Sequence, residues 1–163
     1  MTLTVPFENA VDLLDADHKA VKIMFIEYNA LCEDGAPAPA KRALAEKICR
    51  ALTVHAQIEE EIFYPAVRQT IGDDDLIEDA LAEHAEAKTL IAEIQRLKPT
   101  SDNHDALVKQ LGKAVDEHVL EEREQIFLQS MQAPLDLRRL AVSLFERKKK
   151  LMAAAPRAPK EKA

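Results

Sequence analysis

The stretch His55-Ala-Gln-Ile-Glu59-Glu-Glu-Ile-Phe-Tyr-Pro65 decides the fold. His55 and Glu59 are four residues apart, so a helix places them one turn apart on the same face. Apolar residues recur on that face at helical spacing, which predicts that it turns toward a core. A buried carboxylate is costly unless it is paired or binds a metal. The stretch therefore predicts a helix that carries a polar site into the interior.

A second stretch repeats this pattern. In His118-Val-Leu-Glu-Glu122 a histidine again precedes a glutamate by four residues. Each of the two pairs is also preceded by one more histidine on an apolar stripe: His18 lies 37 residues before the first pair and His84 lies 34 residues before the second. The near-equal spacing predicts two helical hairpins related by a pseudo-twofold axis.

Proline and glycine divide the chain into five helical segments. The first opens at Pro6 and ends at Gly35, and the others cover about 40–70, 74–98, 100–131 and 135–154. The aspartates 73–75 and the run 100–103 are expected to cap helices, and Pro65 is expected to kink the second one. We predict an all-α fold, an up-down-up-down four-helix bundle with an appended C-terminal helix. The expected domains are the bundle, 1–132, and a basic helix with a disordered tail, 133–163.

Composition restricts the function classes. The chain has 163 residues, only 3 Gly and a net charge of -7. Residues 138–163 hold nine Lys or Arg and two Glu, so the first 137 residues hold 13 basic and 27 acidic side chains, a net charge of -14. This balance argues against a nucleic-acid-binding core. We expect a cytoplasmic protein, because the sequence has no membrane span or leader and only two cysteines, Cys32 and Cys49, at heights too different for a disulfide.

The heights of the histidines provide a test of a common site. At about 1.5 Å of rise per residue, the four stripe histidines fall in one layer of the bundle. His104 lies about 21 Å along the helix axis from His118 and is interpreted as a surface or capping residue. Tyr28 and Tyr64 are expected to lie off the ligand faces. The candidate metal ligands are therefore His18, His55, Glu59, His84, His118 and Glu122.

Imidazole and carboxylate ligands without thiolate favour iron, manganese or zinc. A structural zinc site would need four ligands around one ion, whereas six ligands in a symmetric layer suit two ions, with both carboxylates bridging. The alternative is a polar core network of His–Glu hydrogen bonds. No Lys or Arg lies on the core stripes to neutralise the two carboxylates, and Lys88 is the nearest candidate.

Taken together, Asp-His18-Lys, the stretch 55–65, Glu-His84 and the stretch 118–122 resemble the hemerythrin, or HHE cation-binding, domain family over about residues 8–130. The resemblance implies a four-helix bundle around two non-heme iron ions joined by an oxo or hydroxo bridge. It also implies that the four histidines are terminal ligands and the two glutamates bridging ones. Manganese and zinc are less favoured.

The sequence departs from the oxygen-carrying members of that family. Those have a fifth histidine ligand, four residues after the third-helix histidine, where this chain has Lys88. Open coordination positions are therefore expected, and Glu60, Glu83 and Glu121 are candidates to fill one. We expect the protein to bind or reduce O2 or peroxide, or to bind NO, in a stress response. The alternative is a non-catalytic iron or oxygen sensor, or an iron-handling module, that acts through a partner. Repair of iron–sulfur clusters ranks below both.

The C-terminal segment carries its own apolar stripe of leucines, Leu137, Leu140, Leu144 and Leu151. The stripe is expected to pack on the bundle, and a homodimer interface is the alternative. The basic residues of the same segment could contact an anionic surface or partner.

Overall fold

The computed structural model describes residues 6–98 and 102–154, with only the backbone at Asp102. All of the regular structure in these residues is helical, as predicted. The helices are α1 (Ala10–Glu33), α2 (Ala38–Ile58), α3 (Tyr64–Ile71), α4 (Asp74–Arg96), α5 (Asp102–Glu121), α6 (Leu128–Gln132) and α7 (Leu137–Ala153). A π-helical turn, Glu59–Phe63, joins α2 to α3, and a second, Glu122–Phe127, joins α5 to α6. The seven helices therefore form four long rods and the appended α7.

Local chemistry sets where the rods begin and end. The first helix begins at Ala10 and not at Pro6, because the side chain of Asn9 accepts a hydrogen bond from the backbone N–H of Asp12 at 3.0 Å. Asp73 caps α4 as predicted, since its carboxylate accepts from the N–H of Leu76. Gly72 ends α3 with φ of 74°, a left-handed conformation that favours glycine. The cap expected at 100–103 lies largely outside the described residues.

A π-helical turn precedes Pro65, the position of the expected kink. The first turn ends two residues before this proline, which lacks the backbone N–H that an α-helix would use. The second turn, Glu122–Phe127, has no proline. Proline alone is therefore not the cause of these turns. Each turn begins at one of the two predicted carboxylate ligands, and such turns are frequent at functional sites.

The rods pack as two hairpins. Helix α1 contacts α2 and α4 contacts α5, and the hairpins meet where α1 packs on α5 and α2 on α4. Two apolar clusters result. One surrounds Phe63 and Phe127, and the other surrounds Tyr28, Ile48 and Leu111. The predicted ligands lie between the two clusters.

Helix α7 packs on α1, α2 and the first π-helical turn. Leu144 is fully buried in the core, and the other three leucines of the stripe are partly buried against it. The predicted packing on the bundle is thus confirmed, and the stripe that could have formed a dimer interface is covered by the chain itself. The expected tail beyond residue 154 lies outside the described part. No helix within that part is long and apolar enough to cross a membrane.

Candidate metal centre

Four helices each direct one imidazole toward a common centre. His18 comes from α1, His55 from α2, His84 from α4 and His118 from α5. The Nε2 atoms of His18 and His55 are 3.1 Å apart, and those of His84 and His118 are 3.2 Å apart. The structure therefore brings the four predicted histidines together in two facing pairs.

The two glutamates lie between these pairs. Glu59 Oε1 is 3.2 Å from the Nε2 atoms of both His55 and His84, so it links the two hairpins. Glu122 also links the two hairpins, through the other histidine of each pair. Its Oε1 is 3.1 Å from His18 Nε2, and its Oε2 is 3.6 Å from His118 Nε2. Both carboxylates are fully buried. Each carboxylate thus contacts one histidine of each pair.

Buried oxygen atoms of both glutamates are left without a hydrogen bond. Glu59 Oε2 and Glu122 Oε1 have no donor among the described residues, although Glu122 Oε1 is close to a histidine nitrogen. Within residues 6–98 and 102–154, no lysine or arginine forms an ion pair with either carboxylate. A buried charge with unpaired oxygens is costly unless a cation binds it. The cluster therefore fits a metal better than a closed network of hydrogen bonds.

The metal-free cluster is expected to hold protons. Burial, the largest influence, acts to lower the pKa of His118, but its hydrogen bond to Glu122 and nearby carboxylates outweigh it and raise the pKa to about 9. Burial likewise opposes ionisation of Glu59, yet His55 and His84 hold the pKa of Glu59 well below its ordinary value. A metal that enters this site must displace such protons.

The outer nitrogens of three imidazoles are held by a further set of carboxylates. His55 Nδ1 donates to Asp17 at 2.9 Å, His84 Nδ1 to Glu60 at 2.9 Å and His118 Nδ1 to Glu83 at 2.8 Å. In each case the imidazole is the donor, since an ionised carboxylate only accepts. A neutral ring held in this way directs the lone pair of Nε2 toward the centre, which is the arrangement that metal-binding histidines use. His18 differs, because its Nδ1 has no hydrogen bond and lies 3.6 Å from Asp15.

These outer contacts decide the role of the candidate extra ligands. Glu60 and Glu83 lie at the outer nitrogens and so hold the ligands in place instead of facing the centre. Glu121 is exposed, and its contact with Glu83 raises its pKa. Lys88, at the position of the missing fifth histidine, pairs with Glu60 at 2.7 Å. The structure thus brings none of these four side chains to the inner nitrogens.

The position predicted for Tyr64 was wrong. Its side chain was expected to lie off the ligand face, but its hydroxyl donates to Glu122 Oε2 and lies 3.3 Å from Glu59 Oε1 and from His84 Nε2. The π-helical turn is the reason. The backbone N–H of Tyr64 donates a hydrogen bond to the carbonyl of Glu59, five residues earlier. The side chains of Tyr64 and Glu59 therefore lie on the same face of the helix.

His104 was also placed wrongly in one respect. It is distant from the cluster as expected, but it is buried and not on the surface. Its Nδ1 is 2.9 Å from the hydroxyl of Tyr28, which donates to Asp105 at 2.6 Å. Burial lowers the pKa of His104. This second polar group joins α1 to α5 at the far end of the bundle.

As expected, neither cysteine forms a disulfide: Cys32 is half-buried and Cys49 buried.

A small cavity lies against the four imidazoles. Its volume is about 50 Å3, and its remaining walls are mostly apolar. Ala87 and Ala114 line it, and their short side chains leave space beside His84 and His118. Lys88 lies at its edge. Asp17 and Glu83 line it as well, whereas Glu59, Glu122 and Tyr64 do not, so the cavity opens on the imidazole side of the centre.

The donor atoms fall into two overlapping sets. One contains His18, His55, Glu59 and Glu122, and the other contains Glu59, His84 and His118. Within each set the donor atoms all lie within 4.8 Å of one another. Donors that bind one ion at about 2.0–2.2 Å lie roughly this close together. Each set could therefore hold a metal ion, and Glu59 belongs to both sets.

The sequence matches the profile of the Hemerythrin HHE cation binding domain over residues 9–129. That range is most of the chain and contains all six candidate ligands. The chain belongs to the hemerythrin HHE cation-binding family. For this hemerythrin-family chain, the helical fold and the buried His/Glu cluster agree with the match.

A solved structure and a curated relative show the same likeness. The crystal structure of a hemerythrin HHE cation binding domain-containing protein from Mycobacterium kansasii has a TM-score of 0.72 to this chain, covers 89% of it and is itself 88% covered, at 19% identity. At that identity the likeness concerns the fold alone. A protein named DNA nickase from Nostoc sp. (strain PCC 7120) is 32% identical over 119 residues, which are 73% of this chain. The chain spans about a third of that relative's length, 32%.

Proposed function

We propose that this hemerythrin-family protein binds two iron ions and uses them to bind or reduce dioxygen or peroxide, or to bind nitric oxide, in a cytoplasmic stress response. His18 and His55 would hold one ion, and His84 and His118 the other. Glu59 and Glu122 would bridge the two. Imidazole and carboxylate ligands with no thiolate support iron over softer metals, and manganese and zinc are the less favoured occupants.

The observation that carries the proposal is that imidazole nitrogens and carboxylate oxygens able to bind a metal converge on one centre. Inner imidazole nitrogens face each other at 3.1 and 3.2 Å. Glu59 Oε2 and Glu122 Oε1 are buried without a hydrogen bond. Lone pairs that face one another repel unless a proton or a metal lies between them. Outer carboxylates at three of the imidazoles support the metal, because they orient ligands and raise their basicity.

The protein supplies access and protection, while bound iron would supply a Lewis acid and a redox centre. The cavity of about 50 Å3 beside the imidazoles has room for a diatomic molecule or peroxide. Its apolar walls limit the entry of water. Tyr64 donates a hydrogen bond to Glu122 on the opposite side and so fixes the orientation of a bridging carboxylate.

Metal analysis of aerobically purified protein tests the assignment first. We expect two irons per chain and near-ultraviolet charge-transfer absorption that disappears when the iron is removed. One tightly held zinc, or no metal together with an unchanged fold, would reject the di-iron centre. Reconstitution with manganese and zinc under the same conditions provides the comparison for selectivity.

Position 88 tests the reactivity. Lys88 Nζ is paired with Glu60 and cannot bind a metal while protonated, because an ammonium has no lone pair. Stopped-flow mixing of the reduced, iron-loaded protein with oxygenated buffer should therefore give rapid oxidation that does not revert when oxygen is removed. Lys88→His should slow this oxidation and slow peroxide turnover. A reversible, oxygen-dependent spectrum in the unmutated protein would instead indicate an oxygen carrier.

The alternative function is a non-catalytic iron or oxygen sensor, or an iron-handling module, that acts through a partner. The Nostoc relative favours this reading in one respect, because the matching region is only a third of a longer protein. The nickase activity in that protein's name is not part of the proposal, since the first 137 residues here carry a net charge of -14. Peroxide turnover no faster than that of free iron would favour the alternative.

A further inference from the structure

Helix α7 lies outside the region that matches the family, yet it reaches the metal centre. Lys148 of α7 donates a hydrogen bond to Asp17 Oδ1 of α1. The other oxygen of the same carboxylate, Oδ2, accepts from His55 Nδ1 at 2.9 Å. The matched residues are 9–129, whereas α7 spans Leu137–Ala153. A continuous polar path thus runs from the appended helix through α1 to a ligand on α2.

The path is nearly closed to solvent. The side chains of Asp17 and His55 are 11% and 9% exposed, and that of Lys148 is 33% exposed. Lys148 is therefore the cation that holds this carboxylate against the outer nitrogen of His55.

Anchors on both sides of Lys148 fix its position. Arg147 binds Glu61, in the first π-helical turn, at 2.8 and 3.2 Å. Toward the end of α7, Arg50 of α2 donates to the carbonyls of Met152 and Ala154. Toward its start, Leu144 is fully buried. Lys148 is thus held against Asp17 by packing and ion pairs that do not involve the ligands.

The other three imidazoles differ from His55, and the Nδ1 atom of His18 has no hydrogen-bond partner among the described residues. The outer nitrogen of His84 contacts Glu60, which pairs with Lys88, and both residues belong to the four rods. Glu83 lies behind His118, with the carboxylate of Glu121 nearby and not a cation. Within the described ranges, 6–98 and 102–154, His55 is the one candidate ligand that is supported by a residue of α7.

We infer that Lys148 is a positioning residue for the metal held by His18 and His55, and that α7 is a functional part of the metal centre. This inference rests on the proposed di-iron function. Lys148 fixes the carboxylate of Asp17, Asp17 fixes the tautomer and ring orientation of His55, and the Nε2 lone pair then faces the metal. The two metals are consequently inequivalent, since only one of them depends on the appended helix.

Competition for iron tests the inference. The protein is loaded anaerobically with two equivalents of Fe(II) and titrated with a chromogenic ferrous chelator. Lys148→Met should weaken one of the two irons by about 10-fold, the lower end of the range for loss of a ligand-supporting residue, and leave the other unchanged. Lys148→Arg should restore most of the loss. Lys150→Met is the matched control, with the same charge change on an exposed residue of the same helix, and should bind both irons normally.

A double-mutant cycle separates positioning from general destabilisation. In an Asp17→Asn background, Lys148→Met should cause little further loss of iron affinity, because the path is already broken. An equal loss in both backgrounds, or a normal affinity in Lys148→Met itself, would overturn the inference.

The metal-free protein gives an independent readout. In nitrogen-15 spectra, the Nδ1–H resonance of His55 should shift in Lys148→Met and stay in place in Lys150→Met. An unshifted resonance would overturn the positioning role even if two irons bind. Conversely, an unmutated chain that fails to bind two irons would overturn the proposed function, while a shifted resonance would still support the positioning of His55.

Discussion

At the scale of single residues, Glu59 and Glu122 each contact a histidine of both hairpins. In the proposed di-iron centre, a terminal histidine would serve one ion, whereas a bridging carboxylate would serve two. Loss of one glutamate should therefore affect both metals at once.

Glu122→Gln tests this directly. The amide keeps the size of the side chain but removes the charge, so iron binding should fall from two to fewer than one per chain under conditions that saturate the unmutated protein. The iron-dependent gain in melting temperature should fall with it, since ligand binding to the native state adds to stability. Glu124→Gln, an exposed glutamate of the same π-helical turn, is the control and should bind normally. Full iron content in Glu122→Gln would contradict the bridging role.

The two buried tyrosines provide a matched pair. Tyr64 contacts three candidate ligands, and Tyr28 contacts His104 and Asp105 far from the centre. Changing either to Phe should destabilise the metal-free protein by roughly 1–2 kcal/mol, because a buried hydrogen bond is lost. Only Tyr64→Phe should also alter the charge-transfer spectrum of the iron-loaded protein. Identical spectra for the two variants would show that the Tyr64 hydroxyl does not influence the metals.

His118 gives a pH dependence whose sign follows from its raised pKa. The folded, metal-free pKa is about 9, against an ordinary value of 6.5. The pair of protonated His118 and ionised Glu122 therefore stabilises the metal-free protein below pH 6.5, and this contribution is lost as pH rises through 9. Iron must displace the same proton, so its apparent affinity should rise about tenfold per pH unit across that window. Chelator competition from pH 6.5 to 9 measures it, and a flat profile would contradict the assignment.

At the scale of helices, α7 completes the core around Phe63 and Phe127 through Leu144. Leu144→Ala should cost about 2–5 kcal/mol, because it leaves a cavity where a fully buried side chain was. Met152→Ala, at an exposed position of the same helix, should cost less than about 0.5 kcal/mol. Urea denaturation of both variants checks the difference, and equal costs would mean that α7 is not part of the cooperative core.

The helices also show what the sequence could predict. Proline, glycine and capping residues are local signals, so the ends of the four rods and a cap within the aspartates 73–75 were predictable within a few residues. The clustering of the six candidate ligands was predictable because α-helical periodicity and rise place them in one layer. The position of Tyr64 was not, since a π-helical turn changes the periodicity and leaves no clear mark in the sequence.

The residues that hydrogen-bond to the outer nitrogens of the candidate ligands were equally hard to predict. Asp17 precedes a ligand in the chain, but it supports His55 on another helix, and only the packing of α1 on α2 reveals that contact. His104 was misplaced because its helix packs its first turn inward against Tyr28. Supporting contacts of this kind depend on crossing geometry between helices, which a single sequence does not specify.

At the scale of the whole molecule, charge is divided between the bundle and its appendage. Residues 1–137 carry a net charge of -14 and residues 138–163 carry +7, from nine basic and two acidic side chains. The ion pairs of Arg147 with Glu61 and of Lys148 with Asp17 connect the two regions. The basic helix thus offsets part of the self-repulsion of an acidic bundle.

The contact between His18 and Glu122 joins positions about a hundred residues apart in the chain. Metals held by both hairpins would act as cross-links that close a long loop, and the unfolded chain would lose them. Unfolding would then require the centre to dissociate, so iron loading should slow unfolding as well as raise stability. Limited proteolysis checks this: iron-loaded protein should resist internal cleavage for much longer than the metal-free form. The residence time of the iron would in this way set the lifetime of the folded chain.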